Sequence, residues 1–181
     1  MIDVRNWGST PTEVAAAMPG DELFSARDTA VGTRAITIDA QPDRVFDFLA
    51  QMGFGRAGWY SYDWIDNLGR TSATTLHDEW MVRRCGDPVP AGPIEFEAAI
   101  VDRPNQLALR LPHRCVGPYC IDFTLAYRLG PLATGSRLVS RVRIAISGPA
   151  SRPLAIGLLL ADGVMVRRQL LGLRSRCERS T

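Results

Sequence analysis

Four consecutive segments alternate apolar and polar side chains, and this alternation is the feature that most limits the possible folds. Apolar residues recur at alternate positions in segments 94–101, 106–111, 121–129 and 137–147. A period of two is typical of β-strands with one buried face. Because the connections are short and contain Gly, Pro and Asn, the strands must be antiparallel. The sequence therefore predicts an antiparallel sheet with one apolar face and one solvent-facing face.

Shorter elements precede these strands. Thr10-Pro11-Thr12-Glu13 has the form of a capping box, which predicts a short helix ending near Met18. A first strand is expected over 34–38, and a further strand over 80–84. Two short helices are expected between them: one opened by Pro42, with Val45, Phe46, Leu49 and Met52 on one face, and one over Tyr62 to Leu68.

A long helix is predicted from Pro153 to the end of the chain. Its apolar stripe consists of Leu159, Val166, Leu170, Leu173 and Cys177. No other predicted element is long enough to cover the apolar face of a one-sided sheet. A curved sheet around a single helix leaves a gap, which is a natural cavity for an apolar ligand.

Composition excludes several functional classes. The chain has 181 residues, a length typical of one domain, and a net charge of +2, which does not favour nucleic-acid binding. All 21 basic residues are arginine, so chemistry that needs a P-loop or Schiff-base lysine is impossible. His77 and His113 lie far apart, and no cysteine pair lies beside a histidine at the usual ligand spacing. We therefore expect no metal and no other cofactor.

The cysteines and the N-terminus bear on the cellular compartment. A chain of this size needs no disulfide to stabilise it, and its first residues lack the pattern of a signal peptide. We therefore expect free thiols and a cytoplasmic location. A disulfide between Cys115 and Cys120 would need an oxidising compartment, which no other feature supports. The apolar stretch from Leu154 to Val166 is too short to span a membrane and contains Asp162.

The order of elements and several stretches of sequence resemble the START-like (SRPBCC) superfamily. The stretches that carry the resemblance include Asn6-Trp7-Gly8, 33–40, 51–63, Ser136-Arg137-Leu138 and Val164-Met165, and they are most similar to bacterial members. The superfamily includes polyketide cyclases, aromatases and lipid-transfer domains. The resemblance implies an α+β helix-grip fold: a curved antiparallel sheet wrapped around a long C-terminal helix, with two short helices after the first strand. It implies a START-like ligand-binding domain over 33–181, after an N-terminal extension over 1–32 with a short helix. It supplies no universal catalytic residue.

Residues 55–64 are the richest in candidate functional groups. Four aromatic residues lie there: Trp59, Tyr60, Tyr62 and Trp64. In a helix-grip fold this segment lies at the cavity mouth, where the rings would contact a ligand and Arg56 would hold its polar group. In the alternative interpretation, Trp59 and Trp64 fill the core and Arg56 pairs with Asp63. The glycines of the segment slightly favour the first interpretation, in which the segment is a gate that contacts the ligand.

Inward-facing strand residues predict either core packing or a cavity wall, and the sequence does not separate the two. Tyr127 stands out because a buried phenol needs a partner for its hydroxyl. Met165 on the long helix would supply an adaptable wall. We therefore expect ligand contacts from Trp59, Tyr60, Tyr62, Trp80, Phe96, Phe123, Tyr127 and Met165.

The remaining polar candidates favour structural roles. Arg141 and Arg143 lie opposite the apolar face, which predicts cross-strand ion pairs on a solvated surface. His113 and Cys115 are conceivable as a nucleophile pair. However, neighbouring strand residues point to opposite faces and no orienting third group is evident, so a loop histidine is favoured. Asp162 is a candidate acid, base or polar ligand contact, with a slight preference for a solvent-facing or structural role.

Three functions follow, in order of preference. The first is a carrier or sensor for a small hydrophobic ligand, such as a lipid, polyketide or aromatic metabolite. The second is a cyclase or aromatase, in which Arg56, Tyr60, Asp63 and Asp162 are the candidate catalytic residues. The third is a protein-interaction module with a filled core and an exposed apolar patch. Residues 121–181 hold ten arginines and three acids, so transient contact of the basic C-terminal helix with an anionic membrane is a further interpretation. Compensation of the helix dipole is preferred.

Overall fold

A computed structural model of the chain describes residues 3–23 and 29–179, and its main element is one six-stranded antiparallel sheet. The strands are β1 (Thr29–Ile38), β2 (Pro88–Ala91), β3 (Ile94–Asp102), β4 (Gln106–Val116), β5 (Tyr119–Pro131) and β6 (Ser136–Ser147). Their order across the sheet is β1-β6-β5-β4-β3-β2. The strands predicted from the alternating pattern of the middle of the chain are confirmed.

Helices lie before, within and after the strands. They are α1 (Pro11–Ala15), α2 (Pro42–Ala50), α3 (Asp63–Asp66) and α4 (Ser151–Cys177). The capping box is present, since the Thr10 hydroxyl accepts from the Glu13 amide and the Glu13 carboxylate accepts from the Thr10 amide. Among the described residues, no helix is long and apolar enough to cross a membrane.

The main core lies between the inner face of the sheet and helices α2 and α4. The predicted apolar stripe of α4 is buried in it along its whole length. Gly172 of α4 allows a close approach, because a Cβ there would lie 2.1 Å from the carbonyl oxygen of Tyr60. Loop 51–62, in which Tyr60 has a positive φ of 59°, therefore packs directly against the helix at this point.

The outer face of the sheet is also covered, which corrects the expectation of a solvated surface at Arg141 and Arg143. Met18 packs there against small residues of four strands: Ala35, Ala108, Ala126 and Val139. Arg141 is only 5% exposed and donates hydrogen bonds to the carbonyl oxygens of Val14 and Ala16. Both arginines form ion pairs, but their partner is Asp21 of the N-terminal segment and not, as predicted, a residue of a neighbouring strand.

Two strand predictions were wrong in detail. Segment 80–84 is not a strand, and its first residue ends a 3₁₀ turn over Asp78–Trp80. The strand that pairs with β3 at this edge of the sheet is β2, which was not predicted. In β3, the pairing register shifts between Ala98 and Ile100. Such a bulge changes the face on which the following residues lie. Ile100 therefore packs against the outer cluster and not, as the alternation predicts, against the inner core.

The expectation of four free thiols was also wrong. Cys115 and Cys120 form a disulfide, whereas Cys85 and Cys177 are free. The reason is their position in the β4–β5 hairpin, where the two residues are direct partners in the ladder.

Candidate functional site

A cavity of about 390 Å³ lies between the middle of α4 and the sheet, beneath α3 and the β2–β3 turn. This volume is within the range of small-molecule sites. Most of its wall is apolar. It is lined by Phe54, Trp59, Ser61, Ile65, Asp66, Leu68, Ala91, Gly92, Pro93, Phe96, Phe123, Leu125, Asp162, Met165, Val166 and Gln169.

Three aromatic rings form one side of the cavity. Trp59 contacts Phe96 edge-on, with ring centroids 6.1 Å apart, and Phe96 lies 5.5 Å from Phe123. β3 and β5 supply the two phenylalanines from their inward-facing positions, and the loop before α3 supplies the tryptophan. Met165 of α4 completes this part of the wall. Four of the eight residues expected to contact a ligand are thus brought together.

Asp162 of α4 lies in the cavity wall and is paired with a fully buried cation. Its Oδ2 is 3.0 Å from Nη1 of Arg34, a β1 side chain that is 0% exposed. Arg34 also donates to the carbonyl oxygens of Val4 and Leu159. Burial raises the pKa of Asp162 to about 6, and the charge of Arg34 offsets part of that rise. The preference for a solvent-facing side chain was wrong, whereas the structural alternative is supported by this pair.

Asp66 at the end of α3 is the second carboxyl group of the cavity wall. Its Oδ1 is buried and has no hydrogen-bond partner among the described residues. Burial, together with the nearby charge of Asp63, raises the pKa of Asp66 to about 6. A buried polar atom without a partner costs free energy, and such atoms are rare in folded proteins. A ligand that donates a hydrogen bond would satisfy it.

Two neutral polar groups also line the cavity. The Ser61 hydroxyl donates to the carbonyl oxygen of Met165 at 2.9 Å, which ties the loop before α3 to α4. Gln169 accepts a 2.7 Å hydrogen bond from the Tyr127 hydroxyl. Tyr127 therefore has the partner that its burial demands, although it lies one layer behind the wall. Burial raises its pKa well above the usual value, so the phenol stays protonated.

Tyr60, Tyr62 and Trp80 lie outside the cavity wall. The Tyr60 hydroxyl accepts from Gln51 at 2.8 Å, and burial raises the pKa of this phenol. The Tyr62 ring lies under the guanidinium of Arg168, at 5.9 Å. Trp80 stacks on His77 with centroids 4.1 Å apart. Each ring thus has a structural contact of its own.

The candidate catalytic residues do not converge. Asp63 accepts hydrogen bonds from the hydroxyl and amide of Ser72, and within the described residues it forms no ion pair with Arg56. Neither residue lines the cavity, which leaves Asp162 as the one candidate that does. Of the two tryptophans, Trp59 lies in the wall while Trp64 is 74% exposed. The core-plug interpretation of Trp64 is therefore wrong.

Sequence reasoning missed Asp66, Phe54 and the turn 91–93. Asp66 is three residues beyond Asp63 in the same short helix, and no spacing in the sequence distinguishes the one that faces the cavity. The turn 91–93 was missed because β2 was not predicted.

The comparisons with known proteins concern the fold. No protein-family model matches the chain, and no curated protein matches it in sequence. Among solved structures, the protein Ms6760 from Mycobacterium smegmatis superposes with a TM-score of 0.51 and 16% identity, over 84% of this chain and 93% of that chain. The chain has the helix-grip fold.

Two further solved structures are less similar. The di-domain ARO/CYC BexL from the BE-7585A biosynthetic pathway has a TM-score of 0.49 and 11% identity, over 87% of this chain and 52% of that chain. The Aha1 dimer from Colwellia psychrerythraea has a TM-score of 0.46 and 11% identity, over 82% and 96%. The resemblance predicted from the sequence is confirmed at the level of architecture. Because a shared fold does not specify a function, the function is argued from the cavity.

Proposed function

We propose that this helix-grip protein binds a small, mostly apolar ligand that donates hydrogen bonds to Asp66 and Asp162. One observation carries the proposal: within the described residues, two carboxyl groups are the only ionisable side chains in a cavity wall that is otherwise largely apolar. An apolar wall with a few convergent polar groups is typical of small-molecule sites. Phenols, alcohols and amines carry the donors that such carboxyl groups require.

The charge of the wall argues against an anionic ligand. The guanidinium of Arg34 is already occupied by Asp162 and two carbonyl oxygens, so it is not available to a carboxylate or phosphate. An anionic ligand in a low-dielectric cavity beside Asp66 and Asp162 would be repelled. Among the ligands expected from the sequence, neutral phenolic or hydroxylated molecules are therefore favoured over fatty acids.

Chemistry of the cyclase or aromatase type is the second candidate. The observation that favours it is that both cavity carboxyl groups have a pKa raised to about 6. Such groups exchange protons near neutral pH, as general acids and bases must. Asp66 replaces Asp63 in this scheme, since Asp63 does not reach the cavity. The interaction module is less favoured, because it requires a filled core.

The first test is native mass spectrometry of the purified protein, followed by organic extraction. A stoichiometric apolar compound would support binding and identify its chemical class. A more controlled test uses three naphthalene probes with one ring system: 1-naphthol, 1-naphthylmethylamine and 1-naphthoate. We expect the first two to bind at least tenfold more tightly than the third. Equal binding of all three, or tightest binding of naphthoate, would refute the assigned role of the carboxyl groups.

A cavity-blocking variant controls for binding elsewhere. Met165→Trp adds a large ring at the cavity wall and should abolish probe binding. Leu154→Trp is the matched control, because Leu154 is on the exposed side of the same helix. It should leave binding unchanged. If Met165→Trp remains folded by circular dichroism and still binds the probes, the cavity is not the site.

A further inference from the structure

The β4–β5 hairpin carries a second cluster of reactive side chains, outside the cavity. Cys115 and Cys120 are joined across the two strands near the turn. His113 precedes Cys115 by two residues, and its Nε2 lies 3.5 Å from the Cys115 sulfur. Its Nδ1 lies 3.0 Å from Oδ1 of Asp122 on the opposite strand. Asp122 is the orienting third group that the sequence did not reveal.

The cluster has the composition of a metal site once the disulfide is opened. One ring nitrogen of His113 and the two sulfur atoms all lie within 4.8 Å of one another. Tetrahedral zinc sites place thiolate sulfur about 2.3 Å and imidazole nitrogen about 2.0–2.1 Å from the metal, so small movements of these side chains suffice. Asp122 has the position of the carboxylate that commonly accepts from the second nitrogen of a metal-bound histidine.

The cluster is also accessible. His113 and Cys115 are exposed and Cys120 is half-buried, so both a reductant and a hydrated ion can reach the sulfur atoms. Opening the disulfide removes no buried contact of the core, because the main core cluster contains neither cysteine. We therefore expect the fold to persist when the disulfide is reduced.

We propose that the reduced hairpin binds one Zn²⁺ ion through Cys115, Cys120 and His113, with Asp122 orienting the imidazole. An external dithiol supplies two electrons and two protons, so the protein disulfide becomes two thiols and the reductant becomes a disulfide. Zn²⁺ then displaces both thiol protons and accepts the lone pair of His113 Nε2. Water supplies the fourth ligand. A low-molecular-weight disulfide takes two electrons from the two thiolates and becomes two thiolates itself, while the Cys115–Cys120 bond re-forms. The metal thereby loses two ligands and is released, so the site is present only in the reduced protein.

The test is a titration with Co²⁺, which reports thiolate ligation by a charge-transfer band. The full chain is reduced with dithiothreitol, which is then removed under argon. We expect a band that saturates at one Co²⁺ per chain and disappears when Zn²⁺ is added. The oxidised protein should show no band. Absence of the band from the reduced protein would overturn the proposal.

Variants separate the cluster from other thiols. Cys115→Ser should abolish the band, and His113→Ala should weaken binding at least tenfold. Asp122→Asn should weaken it about tenfold, the usual effect of losing such an orienting carboxylate. Cys85→Ser is the matched control, because Cys85 is an exposed free thiol outside the hairpin, and it should change nothing. A band that saturates at the same Co²⁺ concentration in His113→Ala as in the wild type, or that needs Cys85, would contradict the assignment. All four positions are exposed or near the hairpin tip, and circular dichroism verifies folding.

Discussion

Nη1 of Arg34 lies 3.0 Å from Oδ2 of Asp162, and this ion pair joins β1 to α4 at the wall of the cavity. The guanidinium is fully buried, and Gly163 beside it admits both Arg34 and the backbone of Val4. The pair therefore holds three parts of the chain together: the N-terminal segment, the first strand and the long helix. It also places one carboxylate oxygen at a fixed position in an apolar cavity.

Removing one partner of this pair should be much more harmful than removing both. Asp162→Asn leaves the charge of Arg34 buried without a counterion, which we expect to lower the free energy of unfolding by about 3–5 kcal/mol. The double variant Arg34→Met/Asp162→Leu replaces the pair with apolar groups and should recover at least half of that loss. Urea denaturation at pH 7 measures both. Equal losses in the single and double variants would show that the charges are not coupled.

Asp66→Asn should stabilise the protein while weakening ligand binding. The folded-state pKa of Asp66 is raised to about 6. This carboxyl group therefore favours the folded state below pH 4, and the contribution is lost as the pH rises through 6. The amide does not titrate, so we expect a gain of about 1 kcal/mol at pH 7, after allowance for partial solvent exposure. Urea denaturation between pH 4 and 8 measures it, and naphthol binding should fall at least fivefold. If the variant is instead destabilised at pH 7, the interpretation that Oδ1 of Asp66 lacks a hydrogen-bond partner is wrong.

Glu13 should show the opposite pH dependence. Its carboxylate accepts two hydrogen bonds from Arg137, at 2.8 and 2.9 Å, and this interaction lowers the pKa of Glu13 from 4.5 to about 2. The stabilisation is therefore complete above pH 5 and is lost as the pH falls towards 2. Glu13→Gln retains a capping-box residue but loses the charge, so we expect a cost of about 1 kcal/mol at pH 7. The difference between wild type and variant should vanish near pH 2. If the difference in the free energy of unfolding stays constant with pH, the effect comes from the capping box and not from the charge of Glu13.

Two glycines of α4 offer a matched test of the contact between loop 51–62 and the helix. A Cβ at Gly172 would overlap the Tyr60 carbonyl, whereas a Cβ at Gly157 would meet nothing within 4 Å. Gly157→Ala should therefore stabilise the protein by about 0.5–1 kcal/mol, the ordinary gain in a helix. Gly172→Ala should destabilise it despite the same helical gain. Thermal unfolding measures the change in stability of each variant. Equal stabilisation by the two substitutions would show that the loop does not pack against the helix.

The elements that the sequence predicts well are those whose pattern has one physical cause. Alternation in β4, β5 and β6 and the stripe on α4 arise from burial of one face, and both are confirmed. The bulge in β3 was not predictable, because the extra residue changes the face without interrupting the apolar run. The burial of Arg34 was not predictable either. A charged side chain on a strand is expected to face the solvent unless its partner is known. The partner of Arg34 is Asp162, which is 128 residues away in the sequence.

The candidate site was predicted in part for a similar reason. The rings that line the cavity come from inward-facing strand positions or from the loop before α3, and the sequence identified Trp59, Phe96 and Phe123 but not Phe54. It did not separate wall from core, because both need the same residue types. Asp66 and Asp122 are candidate functional residues only because of what lies near them in the folded chain: the cavity for Asp66 and His113 for Asp122. Neither role can be predicted from the neighbouring sequence.

The unequal covering of the sheet has a consequence for ligand exchange. At β1 and β6 the sheet is backed by the N-terminal segment on one face and α4 on the other, so this end cannot open without disrupting the core. At the opposite end, the cavity is closed by the four-residue α3 and by the β2–β3 turn, and Ile65 and Leu68 of that rim are 48% and 75% exposed. Local opening there needs far less free energy than global unfolding. Residence times of a bound molecule should therefore depend on this rim and be insensitive to substitutions that change only the overall stability.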